Sequence, residues 1–171
     1  MPHRGFPAGR PLPLRFLPRF LFLATRPLGY VFKAWLLILL PTLALAVAVT
    51  YLVGDPGQPP VRLPEPMFIL LVVGVAPFLE TLLMLPPLWL LNRYAGPGPA
   101  VIGSALLWAG AHSLAEPLWG LVVWWAFLVL SAALLTWWER GLVTTVLVVT
   151  AIHTLQNAVA AALAFAPRLL S

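Results

Sequence analysis

Residues Ala34–Val53 form a run of 20 residues without a single charge. About 20 apolar residues are what a helix needs to cross the ~30 Å hydrocarbon core of a bilayer. Four more apolar stretches follow, at about Met67–Leu91, Ala100–Leu114, Leu118–Trp138 and Leu142–Ala166. With 61% hydrophobic and 9% charged residues, a soluble domain of 171 residues lacks the interior to hide this much apolar surface. In lipid every backbone polar group must be satisfied within the spanning structure. The pattern therefore predicts an all-α fold, a multi-pass transmembrane helical bundle of about five spans, with the third short, tilted or re-entrant. The length suits one bundle: a basic Pro/Arg-rich arm over 1–33 and a helical domain over 34–171 that carries the site.

Charge sets the orientation. Six of the ten basic residues (Arg4, Arg10, Arg15, Arg19, Arg26 and Lys33) precede the first apolar run. That bias reads as a positive-inside signal with attraction to anionic lipid, and not as a nucleic-acid surface. It predicts a multi-pass cell-membrane protein with a cytoplasmic N-terminus, with Arg93 and Arg140 on cytoplasmic turns and Arg62 and Arg168 outside. Part of the arm reads as an interfacial amphipathic helix, and no small-residue cleavage site closes the first run. Cysteine is absent, which excludes disulfides, thiol nucleophiles and thiolate metal sites. Gly54–Glu65 has the Asp, Gly and Pro content of a loop, and Asn92–Pro99 that of a turn. Within the second span, Pro77 and Pro86-Pro87 predict breaks in the helical ladder beside a wet cavity. The Trp-rich fourth span reads as lipid-facing and core surface, with the residues at its ends suited to the interfacial aromatic belt.

Against this background three polar residues stand out. Glu80 is the one charge inside Met67–Leu91, and His112 and His153 lie in two other apolar segments. Ionisable groups at membrane depth cost several kcal/mol on insertion scales, so they face a bundle interior and mark function. Counted from turns on one side of the membrane, Glu80 is 12 residues from Asn92, His112 is 12 from Ala100 and His153 is 12 from Gly141. That places all three about 18 Å from the same face. Asn157 comes four residues after His153, on the same helical face. A glutamate beside a histidine can hold and deprotonate water, and a second histidine with an amide can donate to an oxyanion. Two histidines and a glutamate are also an acceptable zinc shell, which keeps a zinc-dependent membrane hydrolase as the minority alternative to a cofactor-free site.

The segments Pro77-Phe-Leu-Glu80-Thr81, Trp108-Ala-Gly-Ala-His112 and His153-Thr-Leu-Gln-Asn157 resemble the three ordered motifs of the CPBP family. That family comprises the type II CAAX prenyl endopeptidases and their bacterial relatives in bacteriocin processing and immunity. The resemblance spans about residues 70–165. It implies an intramembrane endopeptidase in which Glu80 activates the attacking water, His112 partners it, and His153 with Asn157 forms the oxyanion site. Two positions depart from the family pattern: Thr81 replaces a second glutamate and Leu85 an arginine. The expected substrate is a membrane-anchored or lipidated peptide or protein. The departures also define an alternative, a catalytically weak binding or immunity-like protein on the same fold. A small transporter or proton relay is disfavoured, because the chain lacks the paired broken helices of inverted-repeat carriers.

Overall fold

The structure, a computed structural model, describes residues 14–55 and 65–169, with side chains described for 14–55 and 66–163. The loop expected over 54–65 and the first part of the arm lie mostly outside the described residues, as does the Arg168 side chain. Among the described residues six α-helices form an all-α bundle: α1 (Pro27–Leu52), α2 (Glu65–Ile69), α3 (Ala76–Ala95), α4 (Pro97–Ser113), α5 (Trp119–Trp137) and α6 (Leu142–Leu169). A π-helical segment, Leu70–Val75, joins α2 to α3 without a break. Four described stretches are long and apolar enough to cross a membrane: Pro27–Leu52, Pro66–Ala95, Trp119–Arg140 and Leu142–Leu163. The third expected span, α4, has 17 residues, about 25 Å at 1.5 Å each, and falls short of that length.

The first span starts seven residues before the expected Ala34. Pro27 occupies the first helical position, where its fixed φ suits the helix and its missing N–H costs nothing. The described part of the arm packs on the bundle. Leu14, Leu17 and Leu21 are buried, and a 3₁₀ turn at Arg19–Phe22 packs on α5. The Leu21 carbonyl accepts from both Tyr30 Oη and Thr136 Oγ1 at 2.8 Å, which ties the turn to α1 and α5.

The Trp-rich helix α5 is the centre of the bundle: of the lipid-facing and core surface expected for it, the core part dominates. Residues Ala126–Leu135 are buried without interruption, and Trp137 packs edge-on against Tyr30. Burial on all faces explains the absence of an amphipathic pattern there. Helix α4 packs closely on α5, and its buried positions are rich in small residues, Ala100, Ser104, Ala105 and Ala109, which let backbones approach. The buried pair Ser131 Oγ to Ser104 Oγ, 2.9 Å, locks that seam. Trp125 Nε1 donates to the Leu37 carbonyl at 2.8 Å, joining α5 to α1.

Short turns alternate the direction of α3, α4, α5 and α6. Gly96 (φ 84°) and Gly141 (φ 93°) occupy left-handed conformations that L side chains rarely adopt, and each ends one helix directly before the next. The same end of the bundle therefore carries the start of α1, the Gly96 turn and the Gly141 turn. Arg15, Arg19, Arg26, Lys33, Arg93 and Arg140 collect at this basic end. Asp55 and Glu116 stand at the other.

Candidate active site

Glu80 lies in the second turn of α3, and its local backbone is set by Pro77. Within the π-helical segment Ala76 N–H bonds to the Leu71 carbonyl, five residues back. In that register the next acceptor, Val72, would take its hydrogen bond from residue 77, which is proline and has none to give. The Val72 carbonyl is instead capped by Asn157 Nδ2 from α6, at 2.9 Å. The break in the second span thus falls at 70–75, before Pro77. Helix α3 runs on through Pro86 and Pro87 to Ala95, against the expectation of an interruption there.

The Asn157 contact holds α6 against the π segment and brings His153, one turn earlier, to Glu80. His153 Nε2 stands 3.6 Å from Glu80 Oε2, an ion-pair distance rather than a hydrogen bond. Facing a carboxylate, Nε2 is the nitrogen that carries the proton. Nδ1 of His153 is buried without a hydrogen-bond partner among the described residues. The His153 side chain is 7% exposed and that of Glu80 24%, so the carboxylate forms the accessible edge of the pair. Thr81, next to Glu80, is fully buried and returns its hydroxyl to the Pro77 carbonyl at 2.7 Å.

His112 arrives differently. It is the penultimate residue of α4, not a mid-helix residue, and its Nδ1 lies 2.8 Å from the Trp108 carbonyl. A carbonyl only accepts, so Nδ1 carries the proton and Nε2 keeps its lone pair for use as a base. Gly96 stands 16 residues after Glu80 and 16 before His112, which levels the two across the α3–α4 hairpin. The Phe127 ring on α5 fills the space between the histidines, with its centroid 4.9 Å from that of His112 and 5.8 Å from that of His153. Trp119 packs edge-on against the outer side of His112 at 5.4 Å. The carboxylate therefore pairs with His153, whereas the family resemblance implies His112.

Four residues singled out in the sequence are thus gathered by α3, α4 and α6, two of them in direct contact. Sequence reasoning missed Phe127, because nothing distinguishes one aromatic among many in an apolar run. It also missed the Val72 carbonyl, for which Pro77 at the end of the π register was the available signal. Among the described residues no three His, Asp or Glu side chains converge closely enough to hold a metal ion. Comparison with protein-family models, curated proteins and solved structures gives no match for this chain.

One consequence is structural. Asn157→Ala leaves the Val72 carbonyl without a partner, at a cost of about 1–3 kcal/mol, and should lower the unfolding midpoint in detergent. An unchanged midpoint would show that the α6–π contact contributes nothing to stability.

Proposed function

We propose that this chain is an intramembrane endopeptidase that hydrolyses a peptide bond with water activated by Glu80. The observation that carries the reading is the pair of Glu80 with His153, with His112 one aromatic ring away, inside helices apolar enough to span a bilayer. Such groups are retained at membrane depth when chemistry needs them. Water seated against Glu80 gives up a proton to the carboxylate as its oxygen attacks the scissile carbonyl carbon. His153 Nε2–H and the second Nδ2 hydrogen of Asn157 are the donors for the oxyanion that forms. Glu80 then delivers that proton to the leaving amine, or passes it to the lone pair of His112 Nε2, which hands it on. Charge segregation supports a cytoplasmic basic end, with the N-terminus on that side. The substrate class is a membrane-anchored peptide, able to reach Glu80 laterally or through a wet cleft.

A second reading keeps the fold without catalysis, as a membrane binding protein. It is favoured by one observation: the position beside Glu80 holds a buried threonine bonded to its own helix, and Leu85 adds no charge. The test is cleavage of a panel of membrane-anchored peptides by the purified protein in lipid, with and without chelator. The peptidase reading expects cleavage that survives chelation and is lost in His153→Ala. Loss on chelation would favour the zinc alternative. Absence of any cleavage by wild type, continuing in Thr81→Glu, would favour the binding protein.

A further inference from the structure

At the basic end, far from Glu80, lies a second polar feature. A cavity of about 310 Å³ opens between the 3₁₀ turn and the first turns of α1, lined by Phe20, Thr25, Arg26, Gly29, Tyr30 and Lys33. Two of its six lining residues are cations, none is an acid, and neither Arg26 nor Lys33 forms an ion pair with any described residue. Arg26 and Lys33 are seven residues apart, two helical turns, and so share one face with Gly29 between them. Helical side chains lean toward the N-terminus, which turns the Lys33 ammonium back toward Arg26. Two cations without an ion-pair partner among the described residues line one space.

We infer that this cavity binds the phosphate-bearing headgroup of an anionic phospholipid. Its chemistry would accept any phosphate monoanion; its position selects the lipid. Lys33 is the last charge before the 20 uncharged residues Ala34–Val53, so the cavity mouth stands at the level where α1 enters hydrocarbon. A lipid can place its phosphate between Arg26 and Lys33, hydrogen-bond the Thr25 hydroxyl, and run its acyl chains down the exposed apolar flank of α1, where Phe32 and Leu40 are uncovered. Tyr30 and Phe20 form the cavity's aromatic wall, edge-on at 6.3 Å and fixed by the Tyr30–Leu21 hydrogen bond, so the walls are rigid before any ligand arrives. The inference does not depend on the peptidase reading.

Native mass spectrometry of the full chain in detergent, titrated with phosphatidylglycerol or phosphatidylcholine, tests it. Each cation near an anionic lipid is worth about 1 kcal/mol, so phosphatidylglycerol should bind about thirtyfold more tightly. Arg26→Gln/Lys33→Gln should erase that preference. Arg15→Gln/Arg19→Gln removes the same charge from exposed residues outside the cavity, and should retain it. Gly29→Leu tests the cavity without touching a charge, since a Cβ there meets nothing within 4 Å, and its side chain should obstruct headgroup entry and weaken binding at least tenfold. Equal losses in the two double variants, or full binding in Gly29→Leu, would reduce the effect to diffuse surface charge and overturn the site. Inorganic phosphate binding with no preference between the lipids would overturn the lipid as ligand. Each variant is compared at equal helicity by circular dichroism, and if the Arg26/Lys33 double fails to fold, Gly29→Leu alone decides.

Discussion

Glu80→Gln protein, reconstituted in lipid, is expected to cleave membrane-anchored peptides about 10²–10⁴-fold more slowly than wild type, the usual worth of a positioned general base. The substitution keeps the size and shape of the side chain and exchanges its proton-accepting oxygen for an amide that cannot take a proton from water. The bundle should be unaffected. Glu80 is the accessible member of its pair, and its contact with His153 at 3.6 Å is longer than a hydrogen bond, so little packing depends on its charge. Glu80→Asp provides the graded control: the carboxylate remains but draws back toward α3, and the rate should fall between those of wild type and Gln. A Gln variant that is folded and cleaves at the wild-type rate would remove Glu80 as the base. Equal, low rates for Asp and Gln would instead locate its contribution in geometry as much as in basicity.

The legible part of this molecule was whatever a single segment can encode. Charge-free length gave the spans, Gly96 and Gly141 with their neighbouring polar residues gave the turns, and ionisable residues in apolar runs gave Glu80, His112 and His153. Relations between segments were hidden. No pattern distinguishes a helix surrounded by protein from one surrounded by lipid when both solvents are apolar, so α5 reads as part lipid-facing and part core although the core part dominates. Charge does not mark the start of α1, because Lys33 is tolerated in the second turn of a helix that begins at a proline. The pairing of Glu80 with His153 and not His112 is accompanied by a π register before Glu80 and by Phe127 between the histidines. Neither leaves a mark on hydropathy.

The π segment also explains how an interrupted helix becomes useful here. A π turn rotates the downstream helix relative to an uninterrupted α-helix, and Leu70–Val75 directly precedes the turn of α3 on which Glu80 meets His153 of α6. The interruption leaves one carbonyl unpaired, and Asn157 uses that carbonyl to position the helix bearing His153. Backbone defect and side-chain pair are thus two parts of one arrangement.

The other large effect is expected at a residue with no polar chemistry. Gly120, in the first turn of α5, is buried against the last turns of α4, and a Cβ built there would collide with the Ala109 carbonyl and Ser113 Oγ. The serine can rotate away. The carbonyl belongs to the α4 backbone and can yield only if the helix moves. Gly120→Ala should therefore cost about 1–3 kcal/mol as overpacking, even though alanine is the better helix former by ~1 kcal/mol. Gly110→Ala is the matched control, because a Cβ at that position meets nothing within 4 Å and the substitution should leave stability unchanged or raise it slightly. The consequence extends to the site, since the residue that must shift lies three positions before His112 on the same terminal turn. Peptide cleavage should fall together with the unfolding midpoint in Gly120→Ala and remain at wild-type level in Gly110→Ala. A Gly120→Ala protein as stable and as active as wild type would show that α4 and α5 are less tightly opposed than this packing requires.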